Sequence, residues 1–278
     1  MVLVCKFNIV GKGVIIKTEE EIELLRLSDL MVSETLALMG EILKPGVKSI
    51  DLDKKAEEYI RDNGGIPSFK GYEGFPASLC ISINEAVVHG IPSDYEIKDG
   101  DIVSIDCGVY KNGFHGDAAY TFAVGDVDED TMELLRATNE SLYLGIEMAV
   151  VGNRVGDIGY AIQHYTEKQF GFGVVREMVG HGVGRDLHED PEVPNFGRRG
   201  RGIKLKENMT IAIEPMVNMG TKRVKVLRDG WTIVTRDGKP SAHFEHSLVV
   251  KKGKPDLLSD HKIIEETIKN NINIKNLK

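Results

Sequence analysis

Val103-Ser104-Ile105-Asp106 and Ile211-Ala212-Ile213-Glu214 set the architecture. Each is a short apolar run with the composition of a buried strand, and each ends in a carboxylate where another apolar residue is expected. One such run would be a local oddity. Two, placed about a hundred residues apart, suggest one unit written twice.

The surrounding residues repeat as well. Upstream, Thr18-Glu19-Glu20-Glu21 is a capping box, and Leu24, Leu25, Leu27, Met31, Leu36 and Leu38 follow at roughly helical spacing until Pro45-Gly46 stops the helix. A second helix is predicted from Ser49 through Ala56 and Ile60 to Gly64-Gly65. Leu36, Leu38, Glu41, Gly46, Asp51, Leu52, Tyr59 and Gly65 match Leu142, Leu144, Glu147, Gly152, Asp157, Ile158, Tyr165 and Gly171 without a gap. His89-Gly90-Ile91 and His181-Gly182-Val183 are alike too. Ile102 to Phe122 alternates around the turn signal Asn112-Gly113, and Met209 to Val250 holds further alternating runs. Helix, helix and antiparallel strands, twice, predict an α+β fold. It would form one domain spanning 1–278, with halves at about 18–125 and 126–250 and a peripheral tail at 251–278.

The composition is that of a globular protein. Of 278 residues, 41% are hydrophobic and 28% charged, which excludes disordered and fibrous classes. A net charge of −8 argues against a chain built around a nucleic-acid backbone. Cys5, Cys80 and Cys107 lack metal-like spacing and form no disulfide framework, which suits a reducing compartment. The N-terminal stretch is broken by Lys6 and Lys12 and reads as a poor leader. No uncharged apolar run reaches the ~18 residues of a membrane span.

Asp106, Asp117, Glu214 and Glu245 interrupt runs that should be buried, and His181 lies in a Gly-rich turn. Any one acid alone is best read as a surface residue. Together, four carboxylates and one imidazole balance two divalent cations, and such a site can ionise a bridging water near neutrality. Oxygen-rich ligation with one His suits Mn²⁺, Fe²⁺ or Co²⁺ better than the thiolate-rich sites of structural zinc.

In order, Asp106, Asp117, His181, Glu214 and Glu245 resemble the ligand set of the pita-bread metallopeptidases. The strings Cys80-Ile81-Ser82-Ile83-Asn84-Glu85, His89-Gly90-Ile91-Pro92, Gly113-Phe114-His115-Gly116-Asp117, Gly180-His181-Gly182-Val183-Gly184-Arg185 and Ile213-Glu214-Pro215-Met216 are similar to those of methionine aminopeptidases of the first, compact type. The resemblance runs from about Thr18 to Lys251. It implies removal of the initiator methionine from nascent chains, with a preference for small second residues, by a monomeric cytoplasmic enzyme. Asp106 would bind one metal and His181 and Glu214 the other, while Asp117 and Glu245 would bridge. Zinc and nickel join the candidate metals. Glu214 would handle the proton of the attacking water, His89 would contact the scissile amide nitrogen, and His188 would support the carbonyl oxygen.

The same resemblance places Phe69, Tyr72, Phe75, Cys80, Leu187 and Trp231 around a methionine pocket, and Asn84, Ala86 and Ser241 around a monovalent cation, Na⁺ or K⁺. At Leu187 many relatives carry an aromatic, and at Val88 some carry a cysteine. A Xaa-Pro peptidase is the competing enzyme, but only about seventeen residues precede Thr18, where those relatives carry an extra domain. A noncatalytic pita-bread binding protein would lack ligands that are present here. Arg198, Arg199, Arg201, Lys204 and Lys206 form a basic cluster that could touch ribosomal RNA where nascent chains emerge.

Overall fold

The computed structural model describes residues 13–277; Cys5 and the N-terminal stretch weighed above as a leader lie outside them. Among the described residues five α-helices flank the sheets: α1 (Glu19–Ile42), α2 (Ser49–Asp62), α3 (Glu129–Glu147), α4 (Val155–Tyr165) and α5 (His261–Ile268). The capping box forms as read, since Glu21 N–H donates to Thr18 Oγ1 and Thr18 N–H to the Glu21 carboxylate. The helix pairs α1–α2 and α3–α4 occupy the positions that the gapless repeat predicts.

The main sheet runs in the order Ile66–Pro67, Ile102–Lys111, Phe114–Val124, Glu245–Val249, Thr210–Ile213, Gly180–Gly182, Glu189–Val193. Each neighbour is antiparallel. Asn112 and Gly113 both have positive φ, 53° and 87°, the backbone that a two-residue hairpin turn requires. The hairpin of the first half meets the strand pair of the second where Glu245 stands opposite Ala119. The two carboxylate-bearing halves are thereby joined edge to edge, in the pita-bread arrangement.

Helix α1 lies directly against this hairpin. A Cβ on Gly116 would come within 2.5 Å of the Ser28 and Asp29 backbone, so only glycine permits the approach. Strand alternation then sends Asp117 and Ala119 to the other face. The core between helices and sheet takes Leu36, Leu52, Ile105 and Phe122 from the first half and Leu142, Ile158, Ile211 and Leu248 from the second.

The segment from 251 onward is not the peripheral tail that its charge suggests. Ile264 and Ile268 are buried in the main core, and Ile274–Lys275 adds a strand beside Phe114–Val124. Asn271 donates through Nδ2 to the Gly40 and Leu43 carbonyls at 2.8 and 2.9 Å, satisfying the open end of α1. The alternating charges face solvent on one side of α5 while its isoleucines and His261 face inward.

Candidate metal centre and substrate cavity

Sheet register assembles the acids. Asp106 stands opposite Ala119, and Asp117 opposite Gly108 on the same hairpin, which puts both carboxylates on one face. His246 stands opposite Ile213, so Glu245 and Glu214, the next residues along, meet on that face as well. His181 reaches it from the strand that pairs through Gly182 with Ile211.

The ligand atoms of Asp117, His181 and Glu245 all lie within 4.8 Å of one another. His181 Nε2 is 3.7 Å from Asp117 Oδ2 and 3.6 Å from Glu214 Oε1. Asp106 lies outside the tight trio but lines the same cavity. His181 Nδ1 is 2.9 Å from the Gly182 carbonyl, so Nδ1–H donates and Nε2 turns its lone pair toward the carboxylates. Acceptors facing acceptors are unfavourable unless protons or a cation lie among them.

Burial raises the proton affinity of the acids and lowers that of the imidazole. Desolvation pushes Asp106 up to about 8. It raises Asp117, Glu214 and Glu245 well above the usual carboxylate range, with neighbouring acids adding to the effect. His181 is pushed down to about 4 by burial, which keeps it neutral. Asp106 Oδ1, Asp117 Oδ1 and Glu245 Oε1 are buried without a hydrogen-bond partner. Orphaned carboxylate oxygens around a neutral imidazole fit a divalent-metal site.

The cluster floors a cavity of about 550 Å³. Its other wall holds Phe69, Tyr72, Phe75, Cys80, Leu187 and Trp231, the whole set expected for the methionine pocket. Phe75 and Trp231 meet edge to face at 5.2 Å. Val88, His89 and His188 line the cavity too. His89 has a left-handed φ of 58° and is pushed down to about 4 by burial. His188 lies with its ring 4.3 Å from that of His181, and its Nδ1 is 2.8 Å from the Tyr72 hydroxyl.

Asn84, Ala86 and Ser241 lie outside this cavity. Asn84 has a φ of 53°, its carbonyl accepts from Ser241 N–H at 2.9 Å, and Ala86 opens the next short strand.

Several residues around the centre were not singled out from the sequence. His243 Nε2 is 3.8 Å from Glu214 Oε2 and buried without a partner. Asp29, fully buried on α1, accepts the Asp117 N–H through Oδ1 at 3.1 Å, and Ser247 Oγ donates to the Asp117 carbonyl at 2.8 Å. Asn195 Nδ2 donates to the Glu214 carbonyl, and His261 Nε2 to that of Glu245, at 3.0 and 2.9 Å. Arg176, Glu177, Met178, Val179 and Glu192 complete the cavity lining. Only Asp29 carried a signal in the sequence: an acid on the apolar face of a helix, between Leu25 and Val32.

A pita-bread sheet with an acid–histidine centre at the join of its halves defines a metal-dependent peptidase. The model of metallopeptidase family M24 matches residues 23–252, and the chain belongs to that family. It is 57% identical to a methionine aminopeptidase of Clostridium perfringens over 246 residues, covering 88% of this chain and 98% of that protein. A solved methionine aminopeptidase from Rickettsia prowazekii, 40% identical, superposes with a TM-score of 0.88 over 89% of this chain and all of that one. A prolidase from Pyrococcus furiosus shares the fold, with a TM-score of 0.72 at 24% identity, but this chain covers only 65% of it.

Proposed function

We propose that this metallopeptidase excises the initiator methionine from new polypeptides whose second residue is small. The carrying observation is one cavity with a buried acid–histidine cluster at one end and a closed aromatic, thiol and leucine wall at the other. A polarizable thioether fits that wall, and the peptide bond that follows it then lies over the acids.

Asp106, Asp117, His181, Glu214 and Glu245 would hold two divalent ions, with Asp117 and Glu245 shared between them. When bound, these ions supply a Lewis acid and an acidified water at neutral pH. Glu214 would receive the proton of the attacking water at its carboxylate. His89 contacts the scissile amide nitrogen, and His188 donates to the carbonyl oxygen as charge develops there. The free α-amino group must reach the acid end, so a blocked amine is excluded. Backbone oxygens of Asn84, Ala86 and Ser241 would hold Na⁺ or K⁺.

Among the described residues no helix is long and apolar enough to cross a membrane. The reading extends to a monomer in the cytoplasm, one catalytic domain built of two related halves, working where chains leave the ribosome. The exposed cluster Arg198, Arg199, Arg201, Lys204 and Lys206 supports that last point. Reversing those five charges should weaken co-sedimentation with ribosomes, and unchanged binding would dismiss it.

The deciding assay compares Met-Ala-Ser, Leu-Ala-Ser and formyl-Met-Ala-Ser on chelated enzyme re-supplied singly with manganese, iron, cobalt, zinc or nickel. Turnover of the first peptide alone, dependent on added metal, is expected. Equal turnover of all three, or full activity after chelation, would sink the reading.

A further inference from the structure

Tyr72 belongs to the pocket wall, yet its hydroxyl does not merely line it. It is 2.8 Å from Nδ1 of His188, and the two rings lie 5.2 Å apart, tilted by 53°. His188 also packs against the ring of His181, with centroids 4.3 Å apart and planes at 73°. The imidazole therefore contacts both a phenol and a histidine of the candidate metal site.

The phenol is itself held in place. Tyr72 opens a tight helical turn in which Gly71, Glu73 and Gly74 all have positive φ, 87°, 49° and 92°. Tyr72 N–H donates to the Phe69 carbonyl, and Gly71 N–H to that of Phe75, at 2.9 and 2.8 Å. The loop that carries His188 is pinned as well, since the Glu189 carboxylate accepts from Arg185 N–H at 2.9 Å and the Gly184 carbonyl from His115 N–H at 2.8 Å. Two rigid segments thus fix where hydroxyl and ring nitrogen meet.

The direction of the hydrogen bond then matters. A neutral imidazole carries one N–H, and the other nitrogen accepts. A phenol oxygen shares its lone pairs with the ring, so it donates well and accepts poorly, whereas an imidazole nitrogen lone pair is a strong acceptor. We propose that Tyr72 is a positioning residue: its hydroxyl donates to Nδ1 of His188, holds the ring as the Nε2–H tautomer, and aims that N–H at the carbonyl oxygen of the bond being cut. With the opposite tautomer, Nε2 would present a lone pair to an oxygen gaining negative charge. This deepens the reading of His188 as the carbonyl-oxygen donor and rests on it.

The test joins spectroscopy to kinetics on the metal-loaded enzyme. With zinc, which is diamagnetic, and ¹⁵N-labelled histidine, long-range ¹H–¹⁵N correlations should show His188 bare at Nδ1 and protonated at Nε2. Tyr72→Phe should give a mixture of tautomers and lower kcat roughly tenfold on Met-Ala-Ser while leaving KM within about twofold. A purely structural loss in the pocket wall would instead raise KM. Protonation at Nδ1 in the unsubstituted enzyme, or a Tyr72→Phe variant with unaltered kcat, overturns the proposal. His188→Ala separates the two layers. If it costs kcat while Tyr72→Phe does not, the tautomer lock alone fails; if it leaves kcat intact, the role of His188 fails and the lock with it.

Discussion

Asp106 and Glu245 stand on opposite sides of Ala119, each directly across from it in the sheet register. Their backbones are two strand spacings apart, roughly 10 Å, and only a methyl group fills the row between them. Asp117, two residues before Ala119 on the same strand, points to the same face. The fully buried alanine lies beneath the candidate metal site.

Ala119→Leu should therefore abolish the site while sparing the fold. The larger side chain would project among the acids, and overpacking at such a position costs about 1–3 kcal/mol. Metal affinity, read by calorimetric titration of the chelated protein, should fall by more than about tenfold. Unaltered titration with a normal melting curve would show that the row above Ala119 is not where the cations lie.

The buried acids make the metal-free protein sensitive to alkali. Asp106 is raised to about 8 by burial, and Asp117, Glu214 and Glu245 are raised with it. In the unfolded chain these groups ionise near pH 4. Between those limits the native state keeps protons that the unfolded state has released, so rising pH favours unfolding. His89, His115, His181, His188, His243, His246 and His261 are lowered by burial and act in the opposite sense, but only below their unfolded value of about 6.5. Above about pH 7 the acids dominate. The Tm of chelated protein should drop between about pH 7 and 8.5, that of metal-loaded protein much less, because the cations replace the protons. A chelated Tm that rises across this window would mean that the acids ionise freely without metal.

Glu214→Gln separates hydrolysis from binding. The amide keeps the size of the side chain and its hold on the Asn195 amide through the main chain, but it cannot take a proton at neutral pH. Turnover should fall by about 10²–10⁴, the range of a lost general base, with Met-peptide binding retained. Near-normal turnover would place the proton transfer elsewhere, with His243, 3.8 Å away, the first group to examine.

The four acids stand out in the chain itself because carboxylates are costly inside strands, whereas His89, His188 and the pocket residues come only from the family resemblance. The five expected ligands, His89, His188 and the six residues expected around the methionine all line one cavity. The supports behind them were not legible. His243, Asn195, Ser247 and His261 act through carbonyl groups or at a distance, and each is an ordinary polar residue in its local string. Asp29 was visible as an anomaly, but its partner is a backbone N–H eighty-eight positions away. The C-terminal helix misled for a different reason: three isoleucines among charges read as solvated until the groove against α1 is known.

That helix carries the last prediction. His261 donates from Nε2 to the Glu245 carbonyl at 2.9 Å and stacks on His246 with ring centroids 3.7 Å apart. His246 in turn meets Ser259 Oγ through Nδ1 at 2.7 Å. The backbone of Glu245, the proposed shared ligand, is thus fastened by a segment beyond the family match, which ends at 252. His261→Ala leaves a buried carbonyl without its donor and a gap beneath the stack, which costs about 1–3 kcal/mol. The variant should melt lower and need roughly tenfold more metal for half-maximal activity, while kcat at saturating metal changes little. An unchanged metal-dependence curve in a variant that melts lower would limit His261 to holding α5 in place, with no part in orienting Glu245.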